Sequence, residues 1–282
     1  MSINQIALVS LTSQISPSDL AATASAIQKQ ITRDLGPIWG IQATINSFPD
    51  LKSIPAGYWP ITISETIDNP DDEGYHWSDV TNHPYAVVLY ESDGSWQLTC
   101  SHETCEMLVD PYGKRTIVSD SIEDGQGRVG YLVEVCDPCE DSSFAYSVNG
   151  ILLSDFYTPN YFDPIQNAAV RYSFTGAITS PKQVLKNGYL SWQDTISLKW
   201  FQATYFDAAI QIDDVTNALQ RASGPLRSKI DRITKNPNKR LSFGTSSEKH
   251  SKAKAAFEKS TKSYQENFIQ ELQKLMTLPT WR

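Results

Sequence analysis

The stretch Thr99 to Gly113, TCSHETCEMLVDPYG, constrains this 282-residue chain more than any other. It places one histidine and three acidic residues in a short, otherwise apolar segment that closes on Asp110-Pro111. At about 100° per residue, His102, Glu103, Glu106 and Asp110 fall within roughly a third of a helix's circumference, and Cys105, Met107, Leu108 and Val109 cover the rest. A polar stripe on such a helix must face a site or water. The flanking Leu98, Cys100, Met107 and Leu108 predict a largely buried helix, in which an uncompensated carboxylate is costly. A bound divalent metal is therefore expected, and histidine with carboxylate suits zinc.

The order of elements before this helix predicts a sheet with helices packed on it. Gln5 to Leu11 is a β-branched apolar run that reads as a first strand. Ser16-Pro17 then opens a helix with Leu20, Ala24, Ile27 and Ile31 at helical spacing, ending near Leu35-Gly36. Gly40 to Phe48, Tyr58 to Ile67 and Pro84 to Tyr90 read as three further strands, with an acidic loop at Asp68 to Gly74. Downstream, Tyr131 to Cys136 alternates as a strand, and Asn149-Gly150 within Tyr146 to Phe156 marks a hairpin. Val170 to Ile178, Gly188 to Trp192 and Ile196 to Thr204 predict short strands or a hairpin. Residues 206 to 233 are helical in pattern with a break at Gly224-Pro225, and Ser247 to Met276 predicts a last helix with Phe257, Tyr264, Phe268, Leu272 and Leu275 on one stripe.

The motif HExxE is one residue from the HExxH of zinc metallopeptidases, in which ligands at i and i+4 share a metal and the intervening Glu is the general base. Residues 5 to 113 resemble the N-terminal half of the zincin metallopeptidases, where a strand, a helix and three strands precede the motif helix and the strand just before it lies at the sheet edge and binds extended peptide. The wording SHExxEMLxDP followed by EVCDPxE is also similar to uncharacterised bacterial and fungal proteins that look zincin-like. The resemblance implies an α+β fold with a twisted mixed sheet, an active-site helix and a loop-rich downstream half. It also implies Zn2+ on His102 and Glu106, with Glu103 as base.

Distance along the helix bears on the third ligand. Asp110 lies about 12 Å along the axis from His102, beyond reach of a metal held between His102 and Glu106, and it suits a turn-closing or supporting position. Glu134, inside an apolar strand, resembles the downstream Glu ligand of the gluzincins in spacing, with Asp137 and Glu140 in reserve. An ion pair with Arg115 or Arg128 is the other reading of Glu134. His76 and His83 belong to the loop before the edge strand, near enough in a zincin-like layout to border the cleft, and Tyr85, Tyr131 and Tyr189 are candidate donors to substrate or to a developing oxyanion.

Cys100, Cys105, Cys136 and Cys139 suggest a four-thiolate zinc site or a redox pair, but Cys100 and Cys105 differ by about 140° on a helix and do not converge. Buried thiols beside the site are expected instead. The opening MSINQIALVSLTSQ lacks a basic n-region, and no stretch approaches a membrane span, so a soluble cytoplasmic protein is expected.

Charge divides the chain. Residues 1–220 carry 10 Lys/Arg against 27 Asp/Glu (−17), and residues 221–282 carry 14 against 5 (+9), which sum to −8. Two parts follow: a zincin-like body, 1–220, with halves 1–113 and 114–220, and a basic helical extension, 221–282. The extension carries no known nucleic-acid motif, so contact with the acidic body of its own chain ranks ahead of nucleic acid or an acidic partner. The expected function is zinc-dependent hydrolysis of a peptide or protein substrate. A catalytically inactive peptide-binding module and a regulatory protein acting through the basic extension are the alternatives.

Overall fold

The computed structural model describes residues 3–67, 73–79, 81–222, 224 and 226–234. These belong to one compact unit, Met1–Arg240, so the chain past the expected boundary at 220 continues the same body. The expected helix from Ser247 to Met276 lies outside the described residues.

The protein is α+β. Strand β1 (Asn4–Ser10) leads through Ser16, whose Oγ accepts the Asp19 N–H at 3.1 Å, into helix α1 (Pro17–Lys29). This is the N-cap and first-position proline pairing the sequence predicts. A π-helical turn (Gln30–Leu35) and a short helix α2 (Gly36–Trp39) carry the chain to β2 (Ala43–Phe48), then β3 (Trp59–Ser64), β4 (Gly74–Ser78) and β5 (Pro84–Leu89). These strands form one mixed sheet in the order β2-β1-β3-β5-β4, parallel except for β4. Helix α3 (Trp96–Val109) carries the motif and packs on β5 and β4.

Strand β4 is a departure from the sequence reading. Residues 74–78 were expected to be loop, yet they pair antiparallel with β5 and form the sheet edge, so β5 lies one strand in from it. GYHWS has no β-branched residue and only Tyr75 and Trp77 favour a strand, so its pairing depends on β5.

Downstream, β6 (Thr116–Asp120), β7 (Arg128–Leu132), β10 (Tyr189–Asp194), β11 (Trp200–Thr204) and β12 (Gln211–Asp214) form an antiparallel sheet. The hairpin β8 (Tyr146–Val148) to β9 (Ile151–Leu153) turns on Asn149 and Gly150, both at positive φ, as the dipeptide predicts. Three expectations fail here. Residues 170–178 form no strand beyond an isolated Tyr157–Ser173 bridge, β12 replaces the start of the expected helical stretch, and β7 stops at Leu132. Helices α4 (Thr216–Arg221) and α5 (Leu226–Ile233) follow β12. Ile230 is fully buried in a small core with Leu132, Tyr189, Phe206 and Leu219, which ties α5 to the second sheet.

Among the described residues no helix is long and apolar enough to cross a membrane.

Candidate metal centre

Helix α3 is buried on nearly all sides. Of its fourteen residues only Gln97 and His102 escape burial. Its register is held by a buried chain of polar contacts in which Ser101 Oγ donates to Gln30 Oε1 (2.9 Å), accepts from Ser154 N–H (3.0 Å), and Gln30 Nε2 donates to Ser154 O (3.0 Å). These bonds link the π-helical turn, α3 and the segment after β9 one residue before His102. The polar stripe of α3 therefore faces a built interior.

The centre is assembled around Glu106. Its Oε2 lies 3.4 Å from His102 Nε2 and 3.7 Å from His76 Nδ1, and its Oε1 accepts the Cys136 N–H at 3.1 Å. Asp137 Oδ1 lies 3.3 Å from the same His102 nitrogen. Ligand bonds of about 2.0–2.1 Å in a tetrahedral site place donors about 3.3–3.4 Å apart, a spacing that His102 Nε2 keeps from both Glu106 Oε2 and Asp137 Oδ1. These three residues and, separately, His76, Glu103 and Glu106 are the two groups among the described residues whose ligand atoms lie within 4.8 Å of one another.

His76 was expected in a loop at the cleft border. It instead projects from β4 with no exposure, its Nε2 3.2 Å from the Asp110 carbonyl and its Nδ1 3.4 Å from Glu103 Oε2. A carbonyl only accepts, so Nε2 carries a proton and Nδ1 is turned to the two carboxylates.

Glu134, expected as third ligand, stands outside both groups. It lies beyond the end of β7 with Oε2 3.3 Å from Arg227 Nε, and neither carboxylate oxygen accepts a hydrogen bond. Asp137, expected only in reserve, takes the place beside His102 because a 3-10 turn (Asp137–Cys139) swings it inward. Gly188 permits this turn. A Cβ there would lie 2.7 Å from the carbonyl oxygens of Asp137 and Pro138, so only glycine lets β10 approach so closely. Asp110 closes the helix, its carboxylate accepting the Arg115 N–H at 2.7 Å, in agreement with the axial-distance argument. Glu140 enters neither group. Tyr85 packs edge-on against Tyr75, and His83 lies 2.7 Å from the Tyr58 carbonyl. Tyr189 is at the centre, its hydroxyl accepting from Arg227 at 3.1 Å.

The ion pair weighed for Glu134 does form, but with Arg227 of α5 and not with Arg115 or Arg128. Arg227 is 3% exposed. Its Nη2 donates to Glu106 Oε2 (3.0 Å), its Nη1 donates to Asp137 Oδ2 (2.7 Å) and lies 3.3 Å from Asp231 Oδ1. Sequence reading missed this residue, which is 121 positions from Glu106. The only signal was the positive balance of its region against an acidic body.

These contacts set the protonation of the centre. Burial opposes charge on His102, but Glu106 and Asp137 outweigh it and hold the imidazole well above its ordinary range. Glu106 is held well below the carboxylate range: burial pushes it up, and His102 and Arg227 more than reverse this. Glu134 is pushed well above that range, first by burial and then by Glu106 and Asp137, against the pull of Arg227. Glu106 and Asp137 thus favour the protonated imidazole of His102, beside the guanidinium of Arg227.

All four cysteines are free and buried. Among the described residues no thiol joins either ligand group, which leaves them as thiols beside the site. Burial pushes Cys100, Cys136 and Cys139 upward, which keeps them protonated. Compared with known protein families, curated proteins and solved structures, the chain matches none.

Proposed function

We propose that this chain is a zincin-like, divalent-metal-dependent peptidase whose metal is held by His102, Glu106 and Asp137. The observation that carries the reading is that Glu106 Oε2 and Asp137 Oδ1 stand 3.4 and 3.3 Å from His102 Nε2, with His102 and Glu106 on a helix that also carries Glu103. When bound, the ion polarises an amide carbonyl and makes water a better nucleophile at neutral pH. Glu103, adjacent to His102 in sequence, takes the proton from the attacking water and returns it to the departing amine. His76, at 3.4 Å, orients the Glu103 carboxylate. Support for the zincin-like assignment comes from the strands and helix that precede the motif helix and from the sheet against which that helix packs.

Metal analysis of the purified full-length protein, with His102→Ala beside it, tests the reading. About one zinc per chain is expected, lost in the variant, with peptide hydrolysis lost in Glu103→Gln while metal is kept. Absence of metal, with His102→Ala unchanged in fold and activity, sinks it.

A catalytically inactive scaffold that binds a peptide is the second reading, favoured by the enclosure of the centre: Glu103 is 3% exposed and Glu106 0%. It is preferred if metal binds and Glu103→Gln leaves function intact. A nucleic-acid role would rest on residues 235–282, outside those described.

A further inference from the structure

We propose that Arg227 is the positioning residue of this centre, clamping Glu106 and Asp137 so that they present to His102 and holding Glu134 out of the ligand set. The inference rests on the metal reading and concerns how the protein builds that site.

Three observations carry it. The guanidinium grips Asp137 by both oxygens, unequally: Nη1 takes Oδ2 at 2.7 Å, while Nη2 reaches Oδ1 only at 3.4 Å, and Oδ1 is also the oxygen 3.3 Å from His102 Nε2. On Glu106 it takes one position on Oε2 at 3.0 Å, and an ionised carboxylate oxygen retains a second lone pair for a metal. Its third nitrogen, Nε, faces Glu134 at 3.3 Å, so the carboxyl that would compete with Asp137 is drawn to the guanidinium and stands outside both ligand groups. A planar fork can divide its donors this way, and an ammonium cannot.

Arg227 is itself held in place. Ile230, one turn along α5, is fully buried in the small core, and the Tyr189 hydroxyl and Asp231 flank Nη1 at 3.1 and 3.3 Å. The turn that ends the motif helix makes room for it. Gly113, at φ +55°, closes on Asp110 with a 3.1 Å bond, and a Cβ there would lie 2.8 Å from Arg227 Cβ.

A guanidinium among carboxylates can also act as a plug that competes with the metal, and the two roles have opposite signs. Removal of a plug relieves repulsion between like charges, so metal binds more tightly. Removal of a clamp frees the ligand carboxylates, and loss of such outer partners typically weakens metal affinity 10–100-fold.

The test is titration of the metal-free, full-length wild type, Arg227→Met and Arg227→Lys with Co2+, followed by the visible absorption of the bound ion and by calorimetry, with a thermal melt of each. Arg227→Met is expected to bind Co2+ 10–100-fold more weakly with an altered spectrum. Arg227→Lys, which keeps the charge and loses the fork, is expected to shift the same way. Unchanged or tighter binding by Arg227→Met overturns the proposal. If that variant fails to fold, a folded Arg227→Lys with wild-type affinity and spectrum overturns it. A wild type that binds no Co2+ overturns the metal reading along with it, so the two failures are told apart.

Discussion

Two isosteric substitutions separate the carboxylate that touches His102 from the one that touches only Arg227. In Asp137→Asn the bond from Arg227 at 2.7 Å, worth about 1.5–3 kcal/mol to a charged partner, is weakened to an amide oxygen, and an anionic ligand is lost. Metal affinity should fall at least as far as for loss of an outer partner, about 100-fold or more. Glu134→Gln acts differently. At 3.3 Å and an effective dielectric of about 20, Arg227 attracts the Glu134 carboxylate by about 5 kcal/mol, but removing the ion from water costs several, and neither oxygen gains a hydrogen bond. The raised pKa shows that burial and like charges win. A carboxyl whose folded pKa is raised contributes stability that is present below the unfolded value of 4.5 and is lost as pH rises through the folded value. Gln removes that loss. Metal-free Glu134→Gln should match the wild type in urea below pH 4.5 and exceed it at about pH 8 by about 1–3 kcal/mol, the cost of a buried unsatisfied group. Its Co2+ affinity should stay within a few-fold of the wild type. A variant that loses Co2+ as Asp137→Asn does, or that is less stable at high pH, refutes the assignment of the third ligand.

Because His102 is held well above its ordinary pKa by Glu106 and Asp137, it carries a proton near neutrality that a metal must displace. Calorimetric metal titrations near pH 7 in buffers of different ionisation enthalpy should report release of about one proton per chain, and a release of none contradicts the ligand role of Nε2. Gly188→Ala should destabilise the fold by about 1–3 kcal/mol, as overpacking against backbone does, and should also weaken metal binding, since the added Cβ presses on the Asp137 carbonyl. Thermal melts and Co2+ titration check both, and an Ala variant with wild-type affinity would uncouple Gly188 from the site. Two carboxylate ligands lower the charge on the ion and make its water less acidic, so peptidase activity should keep rising with pH beyond neutrality. A pH–rate profile that is flat above pH 7 counts against that ligand set.

The motif helix was legible because its signal is local. One period of 3.6 residues puts His102, Glu103 and Glu106 together, and the same geometry removes Asp110 from the ligand set. Ser16-Pro17 and Asn149-Gly150 were legible for the same reason, as caps and turns act within four residues. Strand β4 was not, because its pairing depends on the register of β5, and His76 came to the centre only through that pairing. Arg227 lay further out of reach. The charge asymmetry pointed to basic residues from the C-terminal region against the acidic body, and Arg227 makes such a contact, but nothing local marks which of fourteen cations does so.

The exchange of Glu134 for Asp137 shows how a site can decide its own secondary structure. Alternation through Tyr131 to Cys136 favours a strand that would carry Glu134 on one face, and the chain does keep strand pairing to Leu132. Val133 N–H still donates across to the Arg115 carbonyl at 2.9 Å, and beyond it the chain leaves the sheet. The Cys136 N–H goes to Glu106 Oε1 at 3.1 Å, and the Cys139 N–H goes to the Cys136 carbonyl at 2.9 Å. A charge-assisted bond from a buried amide to a carboxylate is worth more than the neutral ladder bond it replaces. Once Glu106 captures Cys136, the strand cannot continue, Pro138 turns the chain, and the next acidic residue reaches His102. Which carboxylate reaches His102 thus depends on Glu106, a dependence that no periodicity within residues 131–141 contains.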